Sequence, residues 1–369
     1  SGGRFVTMND FTNPSAPVGT VRIDGPGSSI NIERGNAISM IDIGSQGTSE
    51  MTITNGGKFI ASRTPGTCPR FACFDGQLTN AAGSQLNLTV NGAGSEFTVV
   101  SENNQAMHIG KAVVIDDGNG FRFGTPGGTS NANVNIENGG TFNTGFAVVA
   151  TTSAGNANTG TESANGLVRV EGNGSAWNAD DIAIGFPSAT NPLAPKNSGV
   201  VIVSNGAEIN SRVFVGANGI LAGNGTVNGT VDNRGGLVAP GLSPGTLTIN
   251  GDFLMSSGTL HLEIGGTAPG MFDMLDVSGL IDITGGDILF DFINNFVPGP
   301  NDLLQLLSAS SISIASDVNY RFAGISSAAG AMFDPLTGRF QFVNVPEPGV
   351  VALLLGALLL LRRRIGNSI

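Results

Sequence analysis

Short stretches of alternating apolar and polar residues recur along most of the chain. Six of them carry an apolar-x-apolar core: Val21–Ile23, Met51–Ile53, Leu86–Leu88, Val134–Ile136, Val168–Val170 and Val201–Val203. Four others end in glycine: Ile41–Gly44, Met107–Gly110, Ile182–Gly185 and Val213–Gly216. A period of two is that of a β-strand with one buried and one wet face. The pattern therefore predicts many short strands.

Two glycine-rich motifs separate these stretches and alternate strictly along the chain. The motif Gly-x-Gly-Ser-x-apolar stands at 25–30, 92–97 and 172–177. The motif Asn-Gly-Gly/Ala-x-apolar stands at 55–59, 138–142 and 205–209. Gly and Asn supply the positive φ of tight corners, and strands this short bury a face only when repeats stack. We therefore predict an all-β fold, a right-handed parallel β-solenoid (β-helix). An immunoglobulin-like or jelly-roll sandwich is the alternative.

Insertions and composition shifts divide the chain. Four segments rich in Gly, Pro, Thr, Ser or Asn predict loops that leave the corners: 63–80, 116–130, 151–165 and 187–198. Longer strands follow residue 258, which predicts a β-rich end module over the last open rung, with Leu303–Leu307 as a strand or a short helix. The predicted divisions are an N-terminal segment or cap (1–19), solenoid repeats (20–257), the end module (258–343) and a tail (344–369).

The composition limits the compartment and the partners. Of 369 residues, 56 are Gly and 12% are charged, and the net charge of −11 repels nucleic acid and anionic lipid. We expect no nucleic-acid partner. Hydrophobic residues make up 40% of the chain, enough for a core. The sequence begins at Ser1 without a charged-then-apolar leader, so we expect a mature or truncated form whose signal peptide is missing.

Cys68 and Cys73 are the two cysteines, five positions apart. An oxidising envelope compartment favours a local disulfide between them, and free thiols are the alternative. A zinc site would need two further ligands, and the histidines, His108 and His261, are far away in sequence.

Two acidic pairs, Asp116-Asp117 and Asp180-Asp181, invite comparison with β-helical polysaccharide hydrolases, which use paired carboxylates. The Gly-His-Gly and Arg-Ile-Lys companions of such sites do not occur in the sequence. Asp180-Asp181 also falls between a repeat motif and the next strand, a corner position where acidic residues are simply solvated. We therefore expect no enzyme activity and no cofactor.

The histidines and the acidic residues of the later part of the chain are predicted to lie on the solvated surface. Alternation places His108 on the wet side of its strand, and His261 and Glu263 on one strand face. Acids with the oxygens that calcium prefers recur later, but without the spacing of a calcium loop: Asp273, Asp276, Asp282, Asp287 and Asp291. We expect an acidic solvated face and no metal site. No Lys-Ser/Thr follows the glycine-rich stretches, which excludes a phosphate loop.

The tail carries the most specific pattern in the chain. Pro346, Glu347 and Pro348 precede an apolar run over 350–361, and Arg362, Arg363 and Arg364 follow it. The run is shorter than the roughly 20 residues of a spanning helix. Because arginines resist translocation, they would stay cytoplasmic as an anchor and leave the body outside. The predicted membrane segment, a short hydrophobic helix, includes Val350, Leu353, Leu355, Leu358 and Leu361. A C-terminal helix docked on the body is the alternative.

This tail closely resembles the PEP-CTERM sorting signal of bacteria. The resemblance implies transient insertion in the inner membrane, cleavage near Pro346–Pro348 by an exosortase-type enzyme, and delivery to the cell surface or matrix. Within the body, Gly223–Val231 and Leu237–Ile249 resemble the autotransporter-type β-strand repeat, well over 220–265 and loosely over 20–265. That resemblance implies an extended β-helical stalk. We expect no C-terminal membrane barrel of the kind found in autotransporters, because its pattern of alternating strands is not recognisable in this sequence.

These observations predict a non-enzymatic structural or adhesion protein of the cell envelope or extracellular (biofilm) matrix, exported and sorted through the tail. Its expected partners are the exosortase-type enzyme and exopolysaccharide or other surface polymers. A β-helical carbohydrate-active enzyme, a polysaccharide hydrolase or lyase, is the alternative.

Overall fold

The computed structural model describes residues 5–6, 19–34, 41–44, 47–63, 76–78, 82–99, 106–112, 115–116, 122–123, 127–152, 162–186, 197–300, 302–324 and 331–342. Every regular element in these ranges is a β-strand, and no helix occurs among them. The prediction of an all-β chain is confirmed over this part. Its strands are rich in Val, Ile, Phe and Thr, whose side chains suit a pleated surface.

The described strands, in chain order, are β1 (Phe5–Val6), β2 (Gly19–Asp24), β3 (Ser29–Arg34), β4 (Ile41–Ile43), β5 (Thr48–Thr54), β6 (Lys58–Arg63), β7 (Gly76–Leu78), β8 (Gln85–Asn91), β9 (Glu96–Val99), β10 (Met107–Ala112), β11 (Ile115–Asp116), β12 (Arg122–Phe123), β13 (Thr129–Glu137), β14 (Thr141–Thr144), β15 (Ala147–Thr152), β16 (Ser163–Glu171), β17 (Ala176–Ile184), β18 (Ser198–Ser204), β19 (Glu208–Val215), β20 (Gly219–Gly223), β21 (Thr226–Val227), β22 (Val231–Pro240), β23 (Thr246–Ile249), β24 (Phe253–Ile264), β25 (Met274–Val277), β26 (Leu280–Ile283), β27 (Asp287–Phe292), β28 (Leu303–Gln305), β29 (Leu307–Ser308), β30 (Ser311–Ile314), β31 (Asn319–Ala323), β32 (Ala331–Asp334) and β33 (Arg339–Phe342).

These strands stack in parallel to form three faces. Face A begins with β2, β5, β8, β13, β16 and β18, each paired in parallel with the next. Face B begins with β3, β6, β9, β14 and the first half of β17, and face C with β4, β7, β10, β15 and the second half of β17. One pass over the three faces makes a rung. The predicted parallel β-solenoid is thus confirmed. The strands of the three faces pair in parallel, whereas a sandwich would need antiparallel pairing.

The core fills the space between the three faces, and a stack of aromatic rings lies on its face B side. Phe59, Phe97, Phe142 and Trp177 occupy one register position on four successive rungs, and all are fully buried. Neighbouring ring centroids are 5.0, 5.3 and 5.6 Å apart along the stack. The Trp177 indole N–H donates to Thr144 Oγ1 at 3.0 Å, so its polar group is satisfied inside the core.

The corners explain why the two motifs alternate. Ser95, from a Gly-x-Gly-Ser corner, donates its hydroxyl to Asn91 O at 2.7 Å and accepts from Gly56 N, in the Asn-Gly corner of the preceding rung, at 3.0 Å. Ser175 accepts from Gly139 N in the same way, at 3.0 Å. Asn55 and Gly56 have φ of 53° and 84°. One motif therefore supplies the hydroxyl that satisfies the N–H of the other.

Replacing Gly57 by Ala will destabilise the corner between β5 and β6. A Cβ at Gly57 would lie 2.6 Å from Ile23 O on the preceding rung. Relieving this overlap forces the backbone to shift, which costs about 1–3 kcal/mol. Urea unfolding of the variant measures this cost. Ala207 is the natural residue at the equivalent place in the third Asn-Gly motif. The control Ala207→Gly should therefore cost less than Gly57→Ala, and equal costs would contradict the steric explanation.

The parallel ladder continues past the predicted boundary at 257/258. Strand β24 runs across this boundary, and β27 and β31 extend face A as far as Ala323. Leu303–Leu307 contributes to strands β28 and β29, so the helical option is wrong for it. An antiparallel sheet of β28, β33 and β32 places Phe340 4.7 Å from Phe290, between ring centroids. The division into repeats and end module stays a prediction.

Part of one predicted insertion is a solenoid strand. Gly76–Leu78, within 63–80, forms β7 and pairs in parallel with β4 and β10, so the prediction of a loop there is wrong. Within 116–130, Arg122–Phe123 pairs antiparallel with Ile115–Asp116. The ends of the predicted insertions also belong to solenoid strands, at Arg63, Thr129–Ser130, Thr151–Thr152, Ser163–Asn165 and Ser198. Most of the remaining insertion residues lie outside the described part of the chain, as does the tail at 344–369 with its predicted helix.

Candidate functional site

A row of asparagine side chains crosses successive rungs on the outer side of face B. The parallel register stacks one asparagine above the next, each directly after an inward-facing apolar residue. Four hydrogen bonds of 2.6–2.7 Å, from the Nδ2 of one amide to the Oδ1 of the preceding one, join them. We call this set the asparagine ladder: Asn143, Asn178, Asn210, Asn228 and Asn250.

All bonds of the ladder point the same way and end on a carboxylate. Asn143 Nδ2 donates to Thr98 Oγ1 at 2.7 Å, and Thr98 Oγ1 donates to Glu96 Oε1 at 2.6 Å. The Thr98 hydroxyl, and then Lys58 at 2.9 Å, hold the pKa of Glu96 below its usual value, against the effect of partial burial. Because this row of hydrogen bonds ends on the ionised carboxylate of Glu96, the aligned bonds polarise one another.

The ladder forms the floor of a shallow groove of about 400 Å³. An amide has two N–H donors and two acceptor lone pairs. Asn143 and Asn228 engage Nδ2 with two acceptors each. Asn178 and Asn210 use one donor in the ladder, so each keeps an N–H and a lone pair for a ligand. The groove is lined by Thr98, Asn143, Thr144, Asn178, Ala179, Asp180 and Asn210.

A bulge in β17 shapes one side of this groove. The register between β17 and β19 shifts between Asn178 and Asp181, and the intervening Ala179 and Asp180 line the groove. Asp181 is engaged elsewhere, because its two carboxylate oxygens accept from Arg212 Nε at 2.8 Å and from its NH2 group at 2.9 Å. The acidic pair singled out in the sequence therefore divides into a groove residue and an ion-paired residue.

Replacing Asn178 by Ala will interrupt the ladder between Asn143 and Asn210. The change removes the donor to Asn143 and the acceptor of Asn210, so Asn143 loses its only partner among the ladder amides and Asn210 keeps only Asn228. Losing these bonds at a half-buried site costs about 1–3 kcal/mol. Chemical unfolding measures the loss. Asn250→Ala, which removes a single ladder bond at an exposed end, is the matched control. An equal loss for both variants would contradict a ladder that acts as a unit.

His108 differs from its prediction. Its strand neighbours Met107 and Ile109 are buried, so His108 points away from the core as expected. It is nevertheless only half-exposed, and its Nδ1 is buried and has no hydrogen-bond partner among the described residues. Burial, and then the charge of Lys111, lower the pKa of His108 to about 3. The side chain is therefore neutral at physiological pH.

The later acids do not form one acidic face. His261 and Glu263 share the outer side of β24, and His261 Nε2 lies 3.3 Å from Asp291 Oδ2. Asp276 belongs to face B, Asp282 to face C, and Asp287 and Asp291 to face A. No group of three or more His, Cys, Asp or Glu side chains in the described ranges could hold a metal ion.

Asp273 contradicts the prediction of a solvated acid. It is 1% exposed, and it accepts from the backbone N–H groups of Gly245 and Glu263, both at 2.8 Å. Burial raises the pKa of Asp273 to about 7, although these two N–H groups act in the opposite direction. The carboxyl group links the turn before β23 to β24.

Several sequence predictions concern residues outside the described part of the chain. These are Cys68, Cys73, Asp117, the sorting motif Pro346–Pro348, the apolar run at 350–361 and the arginines Arg362–Arg364. Asp116 belongs to strand β11, of which only the backbone is described.

The asparagine ladder itself was missed at the level of sequence. A signal was present, because Asn directly follows the apolar residue in five repeats: Phe142-Asn143, Trp177-Asn178, Ile209-Asn210, Val227-Asn228 and Ile249-Asn250. The two glycine-rich motifs stop at the apolar residue. Extended by one residue, they include Asn143, Asn178 and Asn210, whereas Asn228 and Asn250 lie after the last motif.

Comparisons with known proteins give no match, so a functional assignment depends on the groove and the ladder. No protein-family model matches the sequence, and no curated protein matches it. Over the described ranges, no helix has the length and apolar character needed to cross a membrane.

Proposed function

We propose that the chain is a non-enzymatic structural or adhesion protein of the cell envelope or extracellular matrix. The observation that carries this proposal is the asparagine ladder on the outside of a parallel solenoid, together with Thr98, which accepts from its first amide. Such a solenoid holds an extended surface of fixed spacing without needing a deep cavity. The acidic, charge-poor composition fits an exported protein better than a nucleic-acid-binding one.

The proposed route to the surface is the tail. Support comes from the order of its three parts: Pro346–Pro348, the apolar run at 350–361, and Arg362–Arg364. The apolar run would hold the chain in the inner membrane while an exosortase-type enzyme cleaves near the Pro-Glu-Pro motif. The arginines would stay on the cytoplasmic side until cleavage. The solenoid would then remain at the cell surface or enter the matrix.

Mass spectrometry of the native C-terminus tests this route. We expect the surface-located protein to end at or near Pro346–Pro348 and to lack Arg362–Arg364. A variant with Glu347→Ala and Pro348→Ala should keep its arginines and accumulate in the membrane fraction, whereas wild-type protein leaves it. Surface protein that retains an intact arginine terminus would overturn the sorting proposal.

A carbohydrate-active enzyme is the second candidate, and the observation that favours it is Asp180 in a polar groove. Glycosidases need two carboxyl groups on either side of the scissile bond. The neighbouring acid Asp181 is held by Arg212 through two hydrogen bonds, which supports binding over catalysis. A reducing-end assay on polysaccharides separates the two candidates. Activity that Asp180→Asn abolishes would favour the enzyme.

A further inference from the structure

We propose that the groove over Asn178 and Asn210 binds an uncharged, linear polysaccharide that runs along the solenoid axis. This inference rests on the proposed matrix function, because it names the polymer that the envelope protein holds and the place where it holds it. Three properties of the groove carry it: the unused amide groups, the charge of the lining, and the repeat of the ladder.

The unused hydrogen-bonding groups match hydroxyl groups. Asn178 and Asn210 each keep one N–H donor and one lone pair outside the ladder. A sugar hydroxyl is both a donor and an acceptor, so it satisfies both kinds of group at once. The ladder also holds each amide in a fixed orientation before a ligand arrives. Binding therefore loses little side-chain entropy.

The charge and polarity of the lining select a neutral polymer. Among the described residues that line the groove, Asp180 is the only ionisable one, and the chain as a whole carries −11. An anionic polysaccharide would meet repulsion and no cation in the groove. Ala179 is the only apolar side chain in the described part of the lining. An apolar peptide would therefore bury little nonpolar surface here.

The repeat of the ladder favours an extended ligand. Neighbouring strands of a sheet lie about 4.8 Å apart, so equivalent amides recur at this interval along the axis. The ladder passes beyond the groove to Asn228 and Asn250, and Asn250 is exposed. A polymer that enters over Thr98 and leaves toward Asn250 would meet a polar group at every rung.

Ala179→Phe tests the site, because a phenyl ring at Ala179 fills the groove without removing a ladder amide. The probes are neutral glucan oligosaccharides of increasing length, titrated into the full chain by calorimetry, with alginate as the anionic comparison. We expect wild-type affinity to increase with oligosaccharide length and to exceed that for alginate. Ala179→Phe should weaken binding at least tenfold.

Ala222→Phe is the matched control, since Ala222 is also a half-buried alanine but lies on face A. It should bind like wild type. Asn178→Ala is a second variant that opens the groove instead of filling it, and it should also lose affinity. Circular dichroism and thermal unfolding of each variant separate lost binding from lost folding. Wild-type chain that binds no neutral glucan, or folded Ala179→Phe that binds as wild type does, would overturn the proposal.

The two proposals fail separately. Glucan binding that is unaffected by Ala179→Phe would remove this site and leave the matrix function standing. Groove-dependent binding by a chain that keeps its arginine terminus would remove the sorting route and leave the site standing. Preference for alginate over neutral glucan would contradict the charge argument for this groove.

Discussion

Phe142→Ala is expected to lower the free energy of unfolding by about 3–5 kcal/mol, the usual cost of deleting a buried aromatic ring. Phe142 is fully buried in the centre of the aromatic stack, between Phe97 at 5.3 Å and Trp177 at 5.6 Å. Removing its ring leaves two faces without a partner, and neighbouring backbone strands cannot close the space. Urea unfolding followed by Trp177 fluorescence measures the loss next to the cavity.

The matched control is Thr141→Ala, on the outer side of the same strand, β14. Surface substitutions of this kind usually change stability by within about 0.5 kcal/mol. Because each rung contacts only its neighbours, hydrogen exchange of Phe142→Ala should increase first in β9, β14 and β17. Equal losses for the two variants would mean that the stack contributes no special stability.

The strands and corners can be predicted from the sequence because a few neighbouring residues determine each of them. The alternation Val-x-Val fixes which side chains face the core, and the Gly-x-Gly-Ser and Asn-Gly motifs fix the turns. Strict alternation of the two motifs indicated stacking, and the structure supplies the reason: Ser95 and Ser175 accept N–H groups from the Asn-Gly corner of the preceding rung. A solenoid repeats these local rules, so the fold follows from them.

The ladder and the groove depend on register between rungs, which local rules do not fix. Neighbouring asparagines of the ladder stand 35, 32, 18 and 22 residues apart. Insertions at the corners change the length of each rung without shifting the strand register. A search at constant spacing therefore misses the ladder. The bulge that turns Ala179 and Asp180 into the groove is likewise a tertiary feature.

Asp273 was mispredicted for the same reason. Five aspartates in the later part of the chain look alike in sequence, and four of them occupy outer positions of strands. Asp273 stands just before β25 and is drawn inward by the N–H groups of Gly245 and Glu263. Composition could suggest an acidic surface, but the path of the backbone determines which of these aspartates is buried.

Raising the pH from 4 to 7 is expected to destabilise the wild-type chain through Asp273. Burial raises the pKa of Asp273 from 3.8 to about 7 in the fold. Below pH 3.8 both the folded and the unfolded chain carry the proton, and the contribution to stability is fully present. Between these values only the folded chain keeps the proton, so the contribution is lost as pH rises through about 7. At about 1.4 kcal/mol for each pKa unit, the loss amounts to roughly 4 kcal/mol.

Asp273→Asn isolates this effect from the titration of the other carboxylates. Asn has one acceptor oxygen where Asp has two, so one of the N–H groups of Gly245 and Glu263 would lose its partner at every pH. This lost hydrogen bond lowers the stability of the variant by the same amount at every pH, and the variant lacks the slope due to Asp273. The difference in unfolding free energy, wild type minus variant, should fall between pH 4 and pH 7. The opposite slope would mean that the two backbone N–H groups, which favour the carboxylate, outweigh its burial.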